Sequence, residues 1–393
     1  MSDHSVHKLN RQLIEPVKFL IITIAMTSVT YGFGRYAYGL FLPSLRSEFG
    51  ASTLQLSLIA SANAGTYLIS TLIASAYAIY FRPTYMMVSS CILTVTGLAI
   101  AGFSTTFDVA AFGIIVSGVG GGVLSPALFE AIESWLPEEW RVRAIGAVSA
   151  GATPGMIITA LVAYFSLDYW RQAWLAMAAV GIFVLLVGFA LLPKNKIGKR
   201  GEKPTLPLSF SMFMTRRNIG LYIALFVYGV IFSVYLTFSV DLVTTLGALS
   251  APKDRLFWFL LGLTGLPAIF NGYFISKIGY GKFLKVVFVL CAFSYGILAL
   301  AASSLPFILI SAMLFGYASI AIGSGLLVWS IGIFKERPSI GSGVVFFLFS
   351  IATILGPILS SVLSPFIEMK MIFAVLALFS IVIVPFLPKD ERH

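Results

Sequence analysis

Residues 17–42 read VKFLIITIAMTSVTYGFGRYAYGLFL, an apolar run broken by Lys18 near its start and Arg35 near its end. The hydrocarbon core of a bilayer is about 30 Å thick and a helix rises 1.5 Å per residue, so roughly 20 apolar residues cross it. This run is long enough. It is too long for a signal-peptide core and no small-residue cleavage site follows, so it reads as a retained first span. Continuous apolarity, without period-two alternation, points to a helix rather than a barrel strand.

Eleven further segments read the same way. Spans are expected near 17–42, 55–80, 85–103, 107–132, 143–166, 172–192, 219–246, 256–276, 283–302, 306–333, 341–364 and 369–387. Composition agrees: of 393 residues 59% are hydrophobic and only 11% charged, and the mean hydropathy is +0.96. Soluble domains carry about 25% charged residues, so a chain this poor in charge needs lipid to cover it. Its net charge of +10 does not indicate a nucleic-acid partner, because the charges lie in short segments between spans rather than along one face. Cys91 and Cys291 fall inside apolar runs and read as packing residues, not a disulfide. His4, His7 and His393 are confined to the tails. That inventory provides neither a metal site nor a catalytic triad within the spans, and no cofactor is expected.

Lys and Arg in the loops set the orientation. Twenty of the 26 fall on the side of the termini, whereas Arg46, Arg171, Lys253, Arg255 and Lys370 fall on the other. Both termini are therefore expected in the cytoplasm of an inner-membrane, multi-pass protein. The basic stretch 193–218 separates six spans from six and reads as a cytoplasmic linker between an N-terminal bundle (1–192) and a C-terminal bundle (219–393). A shift of 197 residues lays Tyr31-Gly32 and Tyr38 on Tyr228-Gly229 and Tyr235, and Gly146 on Gly343. Parallel six-helix repeats with a substrate site between them are a known transporter design.

The loop Gly272-Tyr-Phe-Ile-Ser276-Lys277-Ile-Gly279-Tyr-Gly-Lys282 resembles the G-x-L-a-D-r-x-G-r-k signature of the major facilitator superfamily. The resemblance covers essentially the whole chain. The segment 135–146, with Arg141 and Arg143, is similar to that family's loop between spans four and five. Asp168-Tyr-Trp170-Arg171 is similar to its turn into span six, and Gly118-Val-Gly120-Gly121-Gly122 to its fourth span. The resemblance implies an all-α membrane protein of twelve helices in two pseudo-symmetric six-helix bundles, the major facilitator fold. It also implies gating by the loops that hold Gly272, Gly279, Arg141 and Arg143. Three departures stand out: Ser276 replaces the signature Asp, Ile114 replaces a fourth-span Arg, and only Gly151-Ala-Thr-Pro154-Gly155 remains of the fifth-span antiporter pattern. Tyr31-Gly-Phe-Gly-Arg35-Tyr-Ala-Tyr38 resembles the first span of the YbfB/YjiJ branch.

Arg35 is the sharpest functional signal. A charge at that depth costs about 2.5–3.5 kcal/mol unless paired or hydrated. Helical spacing would put Thr27, Tyr31, Arg35 and Tyr38 on one face, where a guanidinium fork and phenol hydroxyls suit an anion. The alternative is a structural Arg held by carbonyls or snorkelling outward. In the second half, Tyr228, Tyr235 and Trp329 are the matching candidates for the cavity. Asp241 and Glu130 are candidates for coupling or gating. Asp241 reads as interfacial or as a partner for Arg35, and Glu130 as a partner for loop cations. Asn63 and Asn271 read as hydrogen bonds between helices, and Pro154, Pro267 and Pro357 as bends.

These residues point to a monomeric secondary transporter that moves a small solute, an organic anion, by alternating access. A proton-coupled drug or metabolite exporter of the same fold is the alternative, with a titrating acid such as Asp241 or Glu130. A lipid flippase is a third reading, and an enzyme lacks a nucleophile–base set.

Overall fold

In the computed structural model the described residues are 16–77, 80–166, 169–193, 216–247, 249, 253–334 and 338–388. The histidines, Asp168 and nearly all of the linker lie outside them. Among the described residues, twelve helices are long and apolar enough to cross a membrane. They are α1 Pro16–Phe49, α2 Thr53–Tyr77, α3 Pro83–Gly102, α4 Phe107–Trp135, α5 Glu138–Phe165, α6 Trp170–Leu191, α7 Asn218–Thr245, α8 Lys253–Ile278, α9 Tyr280–Ala301, α10 Leu305–Ile333, α11 Gly343–Leu363 and α12 Met369–Phe386. The spans fall where the apolar runs place them, with one extension. α1 continues through Pro43 to Phe49, well past the expected end at Leu42.

Packing follows the repeat. In the first half α3 packs on α4, α2 on α4, α1 on α5 and α3 on α6; in the second half α9 packs on α10, α8 on α10, α7 on α11 and α9 on α12. The 197-residue register holds at atomic detail. A Cβ on Gly32 would lie 2.5 Å from Cα of Gly155, and one on Gly229, its repeat mate, would meet Cβ of Ala352, the mate of Gly155. Small residues at these crossings let helix axes approach closely, as membrane helix pairs require. The glycines of α4 serve the same end: Gly118 lies on Asn63 of α2, Gly120 on Thr94 of α3 and Gly122 on Ser70 of α2.

An even number of spans puts the ends of α6, α7 and α12 that flank the linker and the C-terminus on one side, the linker side. The halves meet mainly toward the opposite, far side, through α1–α7, α2–α11 and α5–α8. Gly39 crosses Leu236 there, Gly262 rests on Ile157, and the Ser61 hydroxyl donates to the Ile354 carbonyl at 2.7 Å. On the linker side Gly146, Gly272 and Gly343 face open space, although Phe129 and Phe346 approach across the halves with ring centroids 6.3 Å apart.

Two helix breaks fall beside prolines, whereas Pro357 lies in an unbroken stretch. α5 is interrupted at Ala150–Gly151 beside Pro154, α8 tightens to a 3₁₀ turn over Leu266–Phe270 around Pro267, and Pro357 lies inside α11.

Candidate functional site

α1 is not a uniform helix. Ser28–Tyr36 winds as a π-helix, a form that costs regular hydrogen bonding and is frequent at functional sites. Within it the Gly34 carbonyl accepts hydrogen bonds from Asn63 Nδ2 of α2 at 3.0 Å and Ser117 Oγ of α4 at 2.6 Å. Asn63 also donates to the Ile114 carbonyl at 2.7 Å, so one buried amide ties α1, α2 and α4 together. That is the interhelical role its sequence position suggests.

The wider π turn carries Arg35 toward α2. Its guanidinium carbon lies 3.8 Å from the centroid of the Tyr67 ring and 5.9 Å from that of Tyr36. Tyr31 reaches the same cluster, its hydroxyl 3.2 Å from that of Tyr67. A cation over the face of a tyrosine is held by the ring quadrupole without neutralising its charge. Among the described residues, no carboxylate is within ion-pair distance of Arg35.

Arg35 opens onto a cavity of about 50 Å³ between the halves, lined from α1 by Arg35, Tyr36 and Tyr38, from α2 by Asn63, from α7 by Phe232 and Thr237 and from α11 by Thr353 and Pro357. That is room for a few waters. The Gly39–Leu236 crossing forms its far-side wall. Phe232 is the repeat mate of Arg35, so one wall carries the charge and the opposite wall an aromatic ring. Tyr36 and Phe232 meet edge to face at 5.5 Å.

The proposed site residues separate into two groups. Tyr31, Arg35 and Tyr38 gather at or beside the cavity, with the Tyr38 hydroxyl donating to the Leu56 carbonyl at 2.9 Å. Tyr228 lies one turn toward the linker side, stacked on Phe349 at 4.9 Å and donating to the Ser319 carbonyl. Tyr235, expected in the cavity as the mate of Tyr38, turns the other way. It is fully buried in the second half, stacked on Phe315 at 3.7 Å with its hydroxyl 2.7 Å from Ser311 Oγ. The cause is the winding of the two helices: α7 is α-helical throughout, whereas the π stretch in α1 rotates the residues beyond it. Trp329 is buried against Gly220 near the linker side, away from the cavity lining.

Asp241 is buried between the helices, and its partner is Arg46 rather than Arg35. Arg46 Nε and Nη2 donate to its two carboxylate oxygens at 2.9 and 2.8 Å. Eleven residues separate the two arginines, about 16 Å along the helix, and only Arg46 is level with Asp241. Glu130 accepts a hydrogen bond from Ser134 at 3.0 Å at the linker-side end of α4, and Arg141 Nε donates to the Leu136 carbonyl. The Arg143 side chain lies outside the described residues. Gly279 turns the chain between α8 and α9 at φ 83°, a conformation that suits glycine. Ser276, in the signature Asp position, is exposed and, among the described residues, bonds within its own turn, to the Tyr273 carbonyl. Tyr67, Tyr36, Thr237 and Arg46 were not singled out by sequence. For Tyr67 a signal existed, because it follows Asn63 by one helical turn.

A family model for the Major Facilitator Superfamily matches residues 24–304. The chain belongs to the major facilitator superfamily. Solved structures agree on the fold of this superfamily member. The nucleoside transporter NupG, in a point-mutant form, is similar with a TM-score of 0.76 at 13% identity, over 93% of this chain and 98% of that one. A POT family transporter in complex with 5-aminolevulinic acid gives 0.73 at 13% identity, over 92% and 94%. A bacterial homolog of the human lysosomal transporter Spinster, inward-facing and occupied, gives 0.71 at 14% identity, over 93% of each chain. The superfamily assignment makes the chain a multi-pass membrane transporter rather than an enzyme.

Proposed function

We propose that this transporter moves a small organic anion across the inner membrane by alternating access, with both termini and the linker in the cytoplasm. The observation that carries the reading is Arg35: a charged side chain on the cavity between the halves, held by tyrosine rings and free of any acidic partner among the described residues. A guanidinium so placed presents its N–H fork to a carboxylate or phosphate from solution. The functional units are the bundles 1–192 and 219–393, joined by the linker 193–218, and they act as a monomer. Closure on the far side with open glycines on the linker side corresponds to a cytoplasm-facing, constricted state. Rocking about the α1–α7 crossing would expose Arg35 to the other face. The first span supports placement near the YbfB/YjiJ branch.

A second reading has one specific observation in its favour. Asp241 is a buried carboxylate joining the halves, and a proton-coupled drug or metabolite exporter of this fold would use such an acid. Thermal stabilisation of the purified protein separates the two, since a ligand that binds only the folded state raises its midpoint. Anions are expected to stabilise the wild type and to lose that effect in Arg35→Ala. Stabilisation by lipophilic cations alone, equal in both proteins, would overturn the anion reading in favour of export.

A further inference from the structure

Resting on the anion reading, we infer that the solute is a compact aromatic monocarboxylate. Three observations converge on this class. The first is the charge count. Arg35 is the one ionised group on the cavity wall, and the Tyr67 ring lies across one side of its guanidinium. A single fork takes one carboxylate bidentately. A dicarboxylate or phosphate dianion would bring a second charge into the membrane interior with no cation to meet it.

The second observation is the state of the hydroxyls. Tyr38 donates to the Leu56 carbonyl, Ser233 to Val230 and Thr353 to Ser350, while Asn63 commits both amide hydrogens to Gly34 and Ile114. The remaining wall donors without a hydrogen-bond partner among the described residues are the Arg35 guanidinium and the hydroxyls of Tyr36 and Thr237. A sugar or nucleoside presents many donors and acceptors and would leave most of them unmet, each at a desolvation penalty. One carboxylate accepts from the Arg35 fork and leaves few polar groups of its own to satisfy.

The third is the wall opposite the charge. Phe232 faces Tyr36 edge to face at 5.5 Å and Phe349 at 5.3 Å. This geometry offers ring faces and edges to a planar body, which aromatic partners favour over aliphatic ones of equal size. With the carboxylate on Arg35, the ring of an aryl acid points at the residue that replaces Arg35 in the second half.

The test is ligand-dependent thermal stabilisation of the full-length protein with benzoate, benzamide, cyclohexanecarboxylate, phthalate, lactate and inorganic phosphate. Benzoate is expected to bind about two- to tenfold more tightly than cyclohexanecarboxylate, and more than about tenfold more tightly than its neutral isostere benzamide. Phthalate, lactate and phosphate should be weaker still. In Phe232→Leu the preference for benzoate over cyclohexanecarboxylate should collapse toward unity while Arg35 still binds both. If lactate, phthalate or phosphate matches benzoate, the aromatic monoacid assignment is overturned and the anion reading survives. If no anion stabilises the wild type at any concentration, both fall. The comparison among ligands on the wild type needs no variant to fold.

Discussion

Arg46 and Asp241 form a two-point ion pair that fastens α1 to α7 at the far side, with N–H···O distances of 2.9 and 2.8 Å. Arg46 also reaches Thr53 Oγ1 at 3.3 Å, so the clasp includes the start of α2. Asp241 is buried while the Arg46 side chain is about one-third exposed. Such a pair, partly reached by water, is worth on the order of 1 kcal/mol, equivalent to about a fivefold change in a two-state population.

Breaking the clasp should therefore open the far side. Cys91 and Cys291 are both buried, which leaves a quiet background for a reporter cysteine at Ser44. Asp241→Asn or Arg46→Gln is expected to raise the labelling rate of that reporter by an impermeant thiol reagent about fivefold. The swapped pair Arg46→Asp with Asp241→Arg should bring the rate back. Unchanged labelling in either single variant would mean that the pair does not hold the halves.

Gly39 sets how closely α1 and α7 approach. A Cβ there would overlap the Leu236 carbonyl oxygen and press on Trp258. Gly39→Val should leave the far side unable to close, abolish transport and raise labelling at Ser44. Gly146→Ala and Gly343→Ala add a methyl where nothing lies within 4 Å, and both should transport normally.

Asn63→Ala removes two buried hydrogen bonds and leaves the Gly34 and Ile114 carbonyls to share the Ser117 hydroxyl. The expected destabilisation is about 1–3 kcal/mol, read as a drop of several degrees in the thermal midpoint.

The Tyr67 ring, rather than its hydroxyl, is what Arg35 rests on. Tyr67→Phe should leave anion affinity essentially unchanged, whereas Tyr67→Leu should lose roughly 2- to 30-fold, the range of a cation–π contact of about 0.5–2 kcal/mol. Equal losses in both would place the function in the Tyr31–Tyr67 hydroxyl contact instead.

Much of this architecture is legible in the sequence, because lipid imposes simple rules. A span must be long and apolar, and duplicated halves leave a register that Gly32 with Gly155 and Gly229 with Ala352 fulfil at their crossings. The candidate site is legible only in part. Arg35 and Asn63 announce themselves as polar groups at membrane depth, and Asp241 as an acid near the outer end of its span. Their partners do not, since contacts between helices depend on rotation about each axis. Transferring a site by the repeat assumes that both helices wind alike; α1 has a π stretch that α7 lacks, so Tyr38 reaches the cavity while its mate Tyr235 enters the core. Arg46 reads as a loop charge because the apolar run ends at Leu42. With the helix continuing through Pro43, the 197-residue register sets Asp241 level with Ser44, a half-turn from Arg46.

Gly39 touches Leu236, the residue that the repeat assigns as its own counterpart. Two counterparts can meet only where the pseudo-dyad passes, so that axis runs through the wall of the cavity. On the proposed reading, a solute lodged there would sit beside the hinge of the two halves, where their relative displacement is least, with its head on the first half and its body on the second.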